Sequence, residues 1–184
     1  MAEDLNINGS GAKTQWPPSE LILLLLLMLL IGVVVIPNKG GSWDEEISRN
    51  NGLVNYAYVV HGDPALLSHD DRDYGVVLEL PLVALEKGLG LEHYRSIYLL
   101  RHHLTFCLFL LSLAFLFKLL ADLGFSGPLC LLGVILLFLS PRIFAQAMYN
   151  SKDIPFLSVY IIGYYQALQA LKAPSSRNLI LLGM

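Results

Sequence analysis

The sequence predicts an all-α integral membrane protein with about four transmembrane helices and interfacial helices in a long first outer loop. Hydrophobic residues make up 55% of the 184 residues and charged residues only 15%, whereas soluble domains carry about 25% charged residues. The apolar residues fall in blocks between polar segments, which is the pattern of membrane spans and loops. The net charge of -3 and the lack of a basic stripe argue against a nucleic-acid partner and leave the lipid bilayer as the predicted partner.

The first predicted span covers residues 21–36, an uncharged run that stops before Pro37. With Trp16 as an interfacial anchor and a few flanking residues, this run just crosses a hydrocarbon core of about 30 Å. A cleaved signal peptide is the alternative, but the acidic leader and the lack of a small-residue cleavage site favour a retained span. Residues 1–20 are then predicted to be a cytoplasmic tail.

Two helices are predicted inside the outer loop, residues 37–103. Ser42 followed three residues later by Glu45 fits a capping box, so a helix is expected to begin just after the serine. A second helix is expected over residues 76–87, where two glutamates seven residues apart share one helical face. A short, one-sided helix of this kind suits the membrane interface better than a crossing.

Three further spans are predicted over residues 104–121, 129–144 and 154–171. Pro141 interrupts the second of these runs. The apolar run over residues 178–184 is too short to cross a bilayer. It is predicted to be the start of a fifth span in a longer protein. Lysine and arginine mark the two sides of these spans poorly, so charge alone leaves the orientation open.

Asp44 and Asp153 stand out because each lies at the start of a predicted helix and at the same predicted membrane face. Carboxylates in a first helical turn are stabilised by the helix dipole by about 0.3–1 kcal/mol. Spacing alone therefore favours a structural role for both. Residues 61–63 and 69–71 combine histidine with aspartate, but no spaced ligand set surrounds them. No metal site is predicted, and a divalent metal cofactor stays an open alternative.

A family resemblance changes this balance. The sequence PRIFA at residues 141–145, followed by YNSKDIP at residues 149–155, resembles a stretch of the polyprenyl-phosphate-sugar-dependent glycosyltransferases with the GT-C fold. These are membrane enzymes of the protein mannosyltransferase and aminoarabinose transferase type. Residues 72–81 resemble bacterial members, and the order of the spans and the Asp-Glu pair that opens the outer loop match as well. The resemblance covers most of residues 30–171.

The resemblance implies an enzyme that moves a sugar from a polyprenyl-phosphate donor to an acceptor hydroxyl or amine at the outer face of the cell membrane. The N-terminus would be cytoplasmic. Asp44 would be the general base on the acceptor or a group that orients it. Glu45 would share this role, and Asp153 would position the acceptor or steady the first acid. The 184-residue chain alone is expected to be inactive, because relatives close the donor groove with later spans.

Arg72, Arg142 and Lys152 are the residues expected to bind the donor phosphate. The leaving phosphate gains negative charge as its bond to the sugar breaks, and fixed cations stabilise that charge. Arg101 and the two histidines that follow it are instead expected to snorkel from the end of a span towards the headgroups.

The alternative function is a non-catalytic multi-pass protein such as a transporter or a scaffold. Transporters place polar or charged groups at mid-membrane depth or break their spans there. In this sequence the strongest charges cluster at one predicted face, which favours the transferase.

Overall fold

The computed structural model describes residues 18–175 and residues 177, 180 and 183. Within this part of the chain there is no β-strand, so the prediction of an all-α fold is confirmed. Short 3-10 helices cover Ile36–Asn38 and Pro64–Ser68. The predicted tail, up to residue 17, and most of the predicted fifth span, residues 178–184, lie outside the described residues. The α-helices are α1 (Ser19–Val35), α2 (Glu45–His61), α3 (Glu79–Gly88), α4 (Tyr94–Asp122), α5 (Gly127–Leu139), α6 (Pro141–Ala147) and α7 (Asp153–Lys172).

Three of the helices are long and apolar enough to cross a membrane. They are α1 with its 3-10 extension, α4 and α7. Large apolar side chains on α1 remain exposed on the protein, among them Leu23, Leu26 and Leu30. Such a surface is costly in water and suits contact with lipid tails.

The predicted third span, residues 129–144, is bent rather than straight. Helix α5 stops at Leu139 after 13 residues, a length of about 20 Å. Ser140 leaves the helical conformation at ψ 118°, as expected for a residue before proline. Pro141 then starts α6, whose axis differs from that of α5 by 71°. The pair is a fourth candidate span only if both helices count as one.

Helix α4 is the centre of the bundle and packs against α1, α3, α5, α6 and α7. Its apolar side chains form the core with α1 and α5. The ring of Phe106 lies directly against Gly32, where any Cβ would collide with it. The rings of Phe106 and Phe109 both contact Phe138 of α5. Close approach at a small residue is a usual way for membrane helices to pack.

Helices α4 and α7 run in the same direction. Near the start of α4, Arg101 and Glu79 connect to Ser151, which lies just before α7. At the other end, Lys172 donates to the backbone oxygen of Asp122 at 2.6 Å. For the two helices to be parallel, α5 and α6 must together carry the chain back along the bundle. The bent pair therefore serves as the return segment between two candidate spans.

The start of α2 differs from the sequence prediction. The capping box does not form: α2 begins at Glu45 with Asp44 as its N-cap residue, and the Ser42 hydroxyl donates to the Asp44 carboxylate instead. The sequence predicts a helix from residue 92, ahead of the span at 104–121, and helix α4 begins at Tyr94. The helix continues through this polar stretch because its polar side chains find partners on α2 and α3.

Candidate functional site

The starts of α2 and α7 meet at one end of the bundle. Lys152 Nζ lies 3.4 Å from Asp44 Oδ2, and Asp153 is the next residue along the chain. Three of the residues singled out from the sequence therefore lie together, although more than 100 positions separate the first from the other two.

The turn that presents Lys152 and Asp153 is held by Asn150. Its side-chain oxygen accepts hydrogen bonds from the backbone N–H of Lys152 at 2.9 Å and of Asp153 at 2.8 Å. Its amide nitrogen donates to Asp153 Oδ2 at 3.2 Å. This is the role of an asparagine that caps a helix start. The Asn-x-x-Asp spacing of residues 150–153 is the local sequence signal for such a helix start.

Asp44 is held as an anion. A hydrogen bond from the Ser42 hydroxyl at 2.7 Å lowers the pKa of Asp44, partial burial opposes this, and the positive charge of Lys152 lowers the pKa further. The ammonium group of Lys152 also lies 5.1 Å from the centre of the Tyr74 ring, a distance at which a cation is attracted to the ring face. The pair of opposite charges is only partly exposed to solvent.

A cleft of about 600 Å³ opens beside Lys152 and Asp153. We call it the α7 cleft. One wall follows α7 through Phe156 to Val159, whose side chains are exposed and apolar. This wall extends about 9 Å from the acid along the helix axis. The opposite walls come from α2, α4 and residues 74–79. A charged end beside a long apolar wall is suited to an amphipathic ligand.

Glu45 lies inside the protein rather than beside the Asp44–Lys152 pair. Its side chain is buried, and Oε1 lies 2.8 Å from Nε2 of His102 on α4. The catalytic role expected for Glu45 beside Asp44 stays a prediction. Glu45 joins the start of α2 to the central helix.

The expectation that Arg101 and the next two residues snorkel to the headgroups is wrong for the first two. Arg101 is 2% exposed and His102 is 3% exposed. Arg101 pairs with Glu79 of α3, and a buried charge needs a partner of this kind. His103 is partly buried and contacts the Leu99 backbone oxygen. The helix α3 that was expected at the interface thus turns its glutamates into the protein.

The other two predicted phosphate-binding residues lie elsewhere. Arg142 is exposed at the start of α6, and among the described residues it has no hydrogen-bond partner. Arg72 is exposed in the loop before α3 and donates to the backbone oxygen of Leu67 at 3.1 Å. Neither side chain lines the α7 cleft. Of the three cations, only Lys152 does.

The described part of the chain has no group of three or more histidine, cysteine, aspartate or glutamate side chains arranged to hold a metal ion. The histidine of residues 69–71 serves another purpose: its Nε2 hydrogen bonds to the side-chain oxygen of Asn51 at 2.8 Å. Its partner therefore comes from α2.

The chain was compared with protein-family models, curated proteins and solved structures, and none of them matches it. The described part of the chain is all-helical and has three candidate membrane-spanning helices. Asp44, Lys152 and Asp153 share one end of the bundle.

Proposed function

We propose that the chain belongs to a multi-pass membrane glycosyltransferase that takes its sugar from a polyprenyl-phosphate donor. The observation that carries the proposal is the α7 cleft, which combines the Asp153 carboxylate, the Lys152 ammonium group and an apolar wall on a candidate span. A polyprenyl-phosphate sugar has a polar sugar, an anionic phosphate and a long apolar chain. The cleft offers a matching surface to each of the three parts.

The geometry supports a direct role for Lys152 in phosphate binding. In the transfer, the acceptor oxygen forms a bond to the anomeric carbon while the bond from that carbon to the phosphate oxygen breaks. The electron pair stays on the phosphate, whose negative charge grows. A cation fixed beside it stabilises the transition state more than the substrate.

In this proposal Asp44 receives the acceptor proton. Its lowered pKa makes it a weak base towards an unreacted hydroxyl, so its first task is to orient the acceptor by accepting a hydrogen bond. The proton moves to the carboxylate as the hydroxyl oxygen becomes acidic during the attack. Asp153, exposed at the start of α7, is assigned to positioning the acceptor. The α7 cleft faces the outer side in this proposal, and the N-terminus is cytoplasmic.

The test uses full-length protein in lipid vesicles supplied with polyprenyl-phosphate sugars that carry a labelled sugar. We expect the unchanged protein to remove the labelled sugar from the lipid. In Lys152→Met, which replaces the ammonium group with an apolar group of similar length, the label should remain on the lipid. Arg142→Met is the matched control, because this cation is exposed and outside the cleft; it should keep full transfer.

Two results would overturn the proposal. One is that no polyprenyl-phosphate sugar loses its label to any acceptor in the full-length protein. The other is that Lys152→Met transfers as well as Arg142→Met. The alternative of a transporter or a scaffold would give the first result, since such a protein leaves the sugar–phosphate bond intact.

A further inference from the structure

A second cleft, of about 370 Å³, lies on the other face of α2. We call it the polar cleft. Asn51 lines both clefts, so α2 forms the partition between them. Trp43 lines the polar cleft and directly precedes Asp44, whose carboxylate contacts Lys152 of the α7 cleft.

Two side chains of this cleft, Asn51 and Arg49, are held by contacts with other side chains of the protein. Asn51 is 3% exposed, and its side-chain oxygen accepts a hydrogen bond from His69 Nε2 at 2.8 Å. Its amide nitrogen donates to Asp71 Oδ2 at 3.5 Å. Arg49 forms an ion pair with the buried carboxylate of Glu86. Side chains held in this way lose little freedom when a ligand binds.

Other groups of the polar cleft are free to bind. The Trp43 side chain is 90% exposed, the highest exposure but one among the large exposed hydrophobic residues described. Glu46 and Asn50 are exposed and have no hydrogen-bond partner among the described residues. The apolar indole ring of Trp43 thus lines the same cleft as the Glu46 carboxylate and the Asn50 amide, each of which can form hydrogen bonds with hydroxyl groups.

We infer that the polar cleft binds a saccharide, at a site that α2 separates from the α7 cleft. A sugar ring has an apolar C–H face that can pack on an indole and a rim of hydroxyls that can pair with Glu46, Asn50 and Arg49. A lipid alcohol would leave those polar groups unpaired, which is costly. A peptide is usually bound along a sheet edge or in an apolar groove, and the walls of this cleft offer neither.

The test measures binding without any donor, so that it does not depend on transfer. Full-length protein in lipid nanodiscs is mixed with a neutral disaccharide such as maltose, with a capped Gly-Ser-Gly peptide, or with hexanol. Saturation-transfer NMR then reports which ligand protons contact the protein. We expect the C–H protons of the disaccharide to be saturated, and the affinity to fall about tenfold in Trp43→Ala. Trp16→Ala is the matched control and should bind as the unchanged protein does.

Trp43 is exposed, so its replacement should leave the fold intact; Glu46→Gln combined with Asn50→Ala provides a second variant that should also weaken saccharide binding. Saturation of the peptide or the alcohol in place of the disaccharide would overturn the inference. Equal disaccharide binding in Trp43→Ala would also overturn it. So would quenching of Trp43 fluorescence by brominated lipids in the absence of a disaccharide signal, since Trp43 would then be a membrane anchor. Saccharide binding without transfer from any lipid donor would overturn the proposed function alone.

Discussion

Glu79 Oε1 accepts a hydrogen bond from Ser151 Oγ at 2.8 Å, and the two residues are 72 positions apart. The other oxygen of Glu79 pairs with Arg101, which is buried in α4. Ser151 directly precedes Lys152, so the position of the cleft's cation depends on hydrogen bonds that link α4, α3 and the turn before α7. Functional side chains are held accurately when buried hydrogen bonds support them in this way.

Ser151→Ala should loosen the turn before α7. It removes the hydroxyl that donates to Glu79 and leaves one buried carboxylate oxygen without a hydrogen bond. The free energy of unfolding should fall by about 1–3 kcal/mol. Hydrogen exchange of the backbone over residues 149–154 should become faster. Ser158→Ala is the control, because the Ser158 hydroxyl bonds only within α7, to the Ile154 backbone oxygen. Unchanged exchange over residues 149–154 in Ser151→Ala would contradict this link.

Arg101→Met should be strongly destabilising. It leaves Glu79 as a buried carboxylate without its cation, which costs about 3–5 kcal/mol. Thermal unfolding in detergent measures the loss. Arg95→Met, at an exposed position one and a half turns earlier on α4, should have little effect. Combining Arg101→Met with Glu79→Leu should recover part of the stability. If the double variant instead loses as much stability as the two single variants together, the pair is not coupled.

Asp44→Asn should lower the turnover number for sugar transfer by about 10²–10⁴-fold, because the amide cannot take the acceptor proton. Membrane insertion and folding should be unaffected, since Asp44 is not part of the buried core. Asp70→Asn, an exposed acid in the same segment between α1 and α4, serves as the control and should keep its activity. Full activity of Asp44→Asn would remove this residue from the mechanism.

Ser42→Ala should shift the acidic limb of the transfer activity to higher pH. The Ser42 hydrogen bond is the largest cause of the lowered pKa of Asp44, so its loss lets the carboxylate take up a proton at a less acidic pH. The same sign holds for stability: the ionised pair helps above the unfolded pKa of 3.8, and this help is lost as the pH falls through the lowered folded value. A pH profile of kcat/KM for both proteins measures the shift. Coincident acidic limbs would rule out this control of Asp44.

Local sequence patterns accounted for several helix boundaries. Helix α7 covers the predicted run at 154–171 to within one residue at each end, since Asn150 and Lys172 bound an apolar segment. The break at Pro141 was visible because proline and the residue before it leave the helical conformation. A helix start at residue 92 agrees with α4 to within two residues, but the partners that its polar stretch finds on other helices are not visible in the local sequence.

Candidate site residues divided in a similar way. Asp44, Lys152 and Asp153 lie together as their helix starts suggested, while Arg72 and Arg142 lie outside the cleft. Nothing in the local sequence separates an arginine that faces a cleft from one that faces solvent.

The sequence by itself determined that the chain is helical, where its apolar helices lie, and which acids begin a helix, because hydropathy and capping act over a few neighbouring residues. Only the tertiary structure decided which charges are buried and paired: Arg101 with Glu79, and His102 with Glu45. It also decided that α2 separates an apolar cleft from a polar one. The paired residues are 22 and 57 positions apart in the sequence. The strength of these contacts depends on low exposure to water, which no local sequence pattern reports.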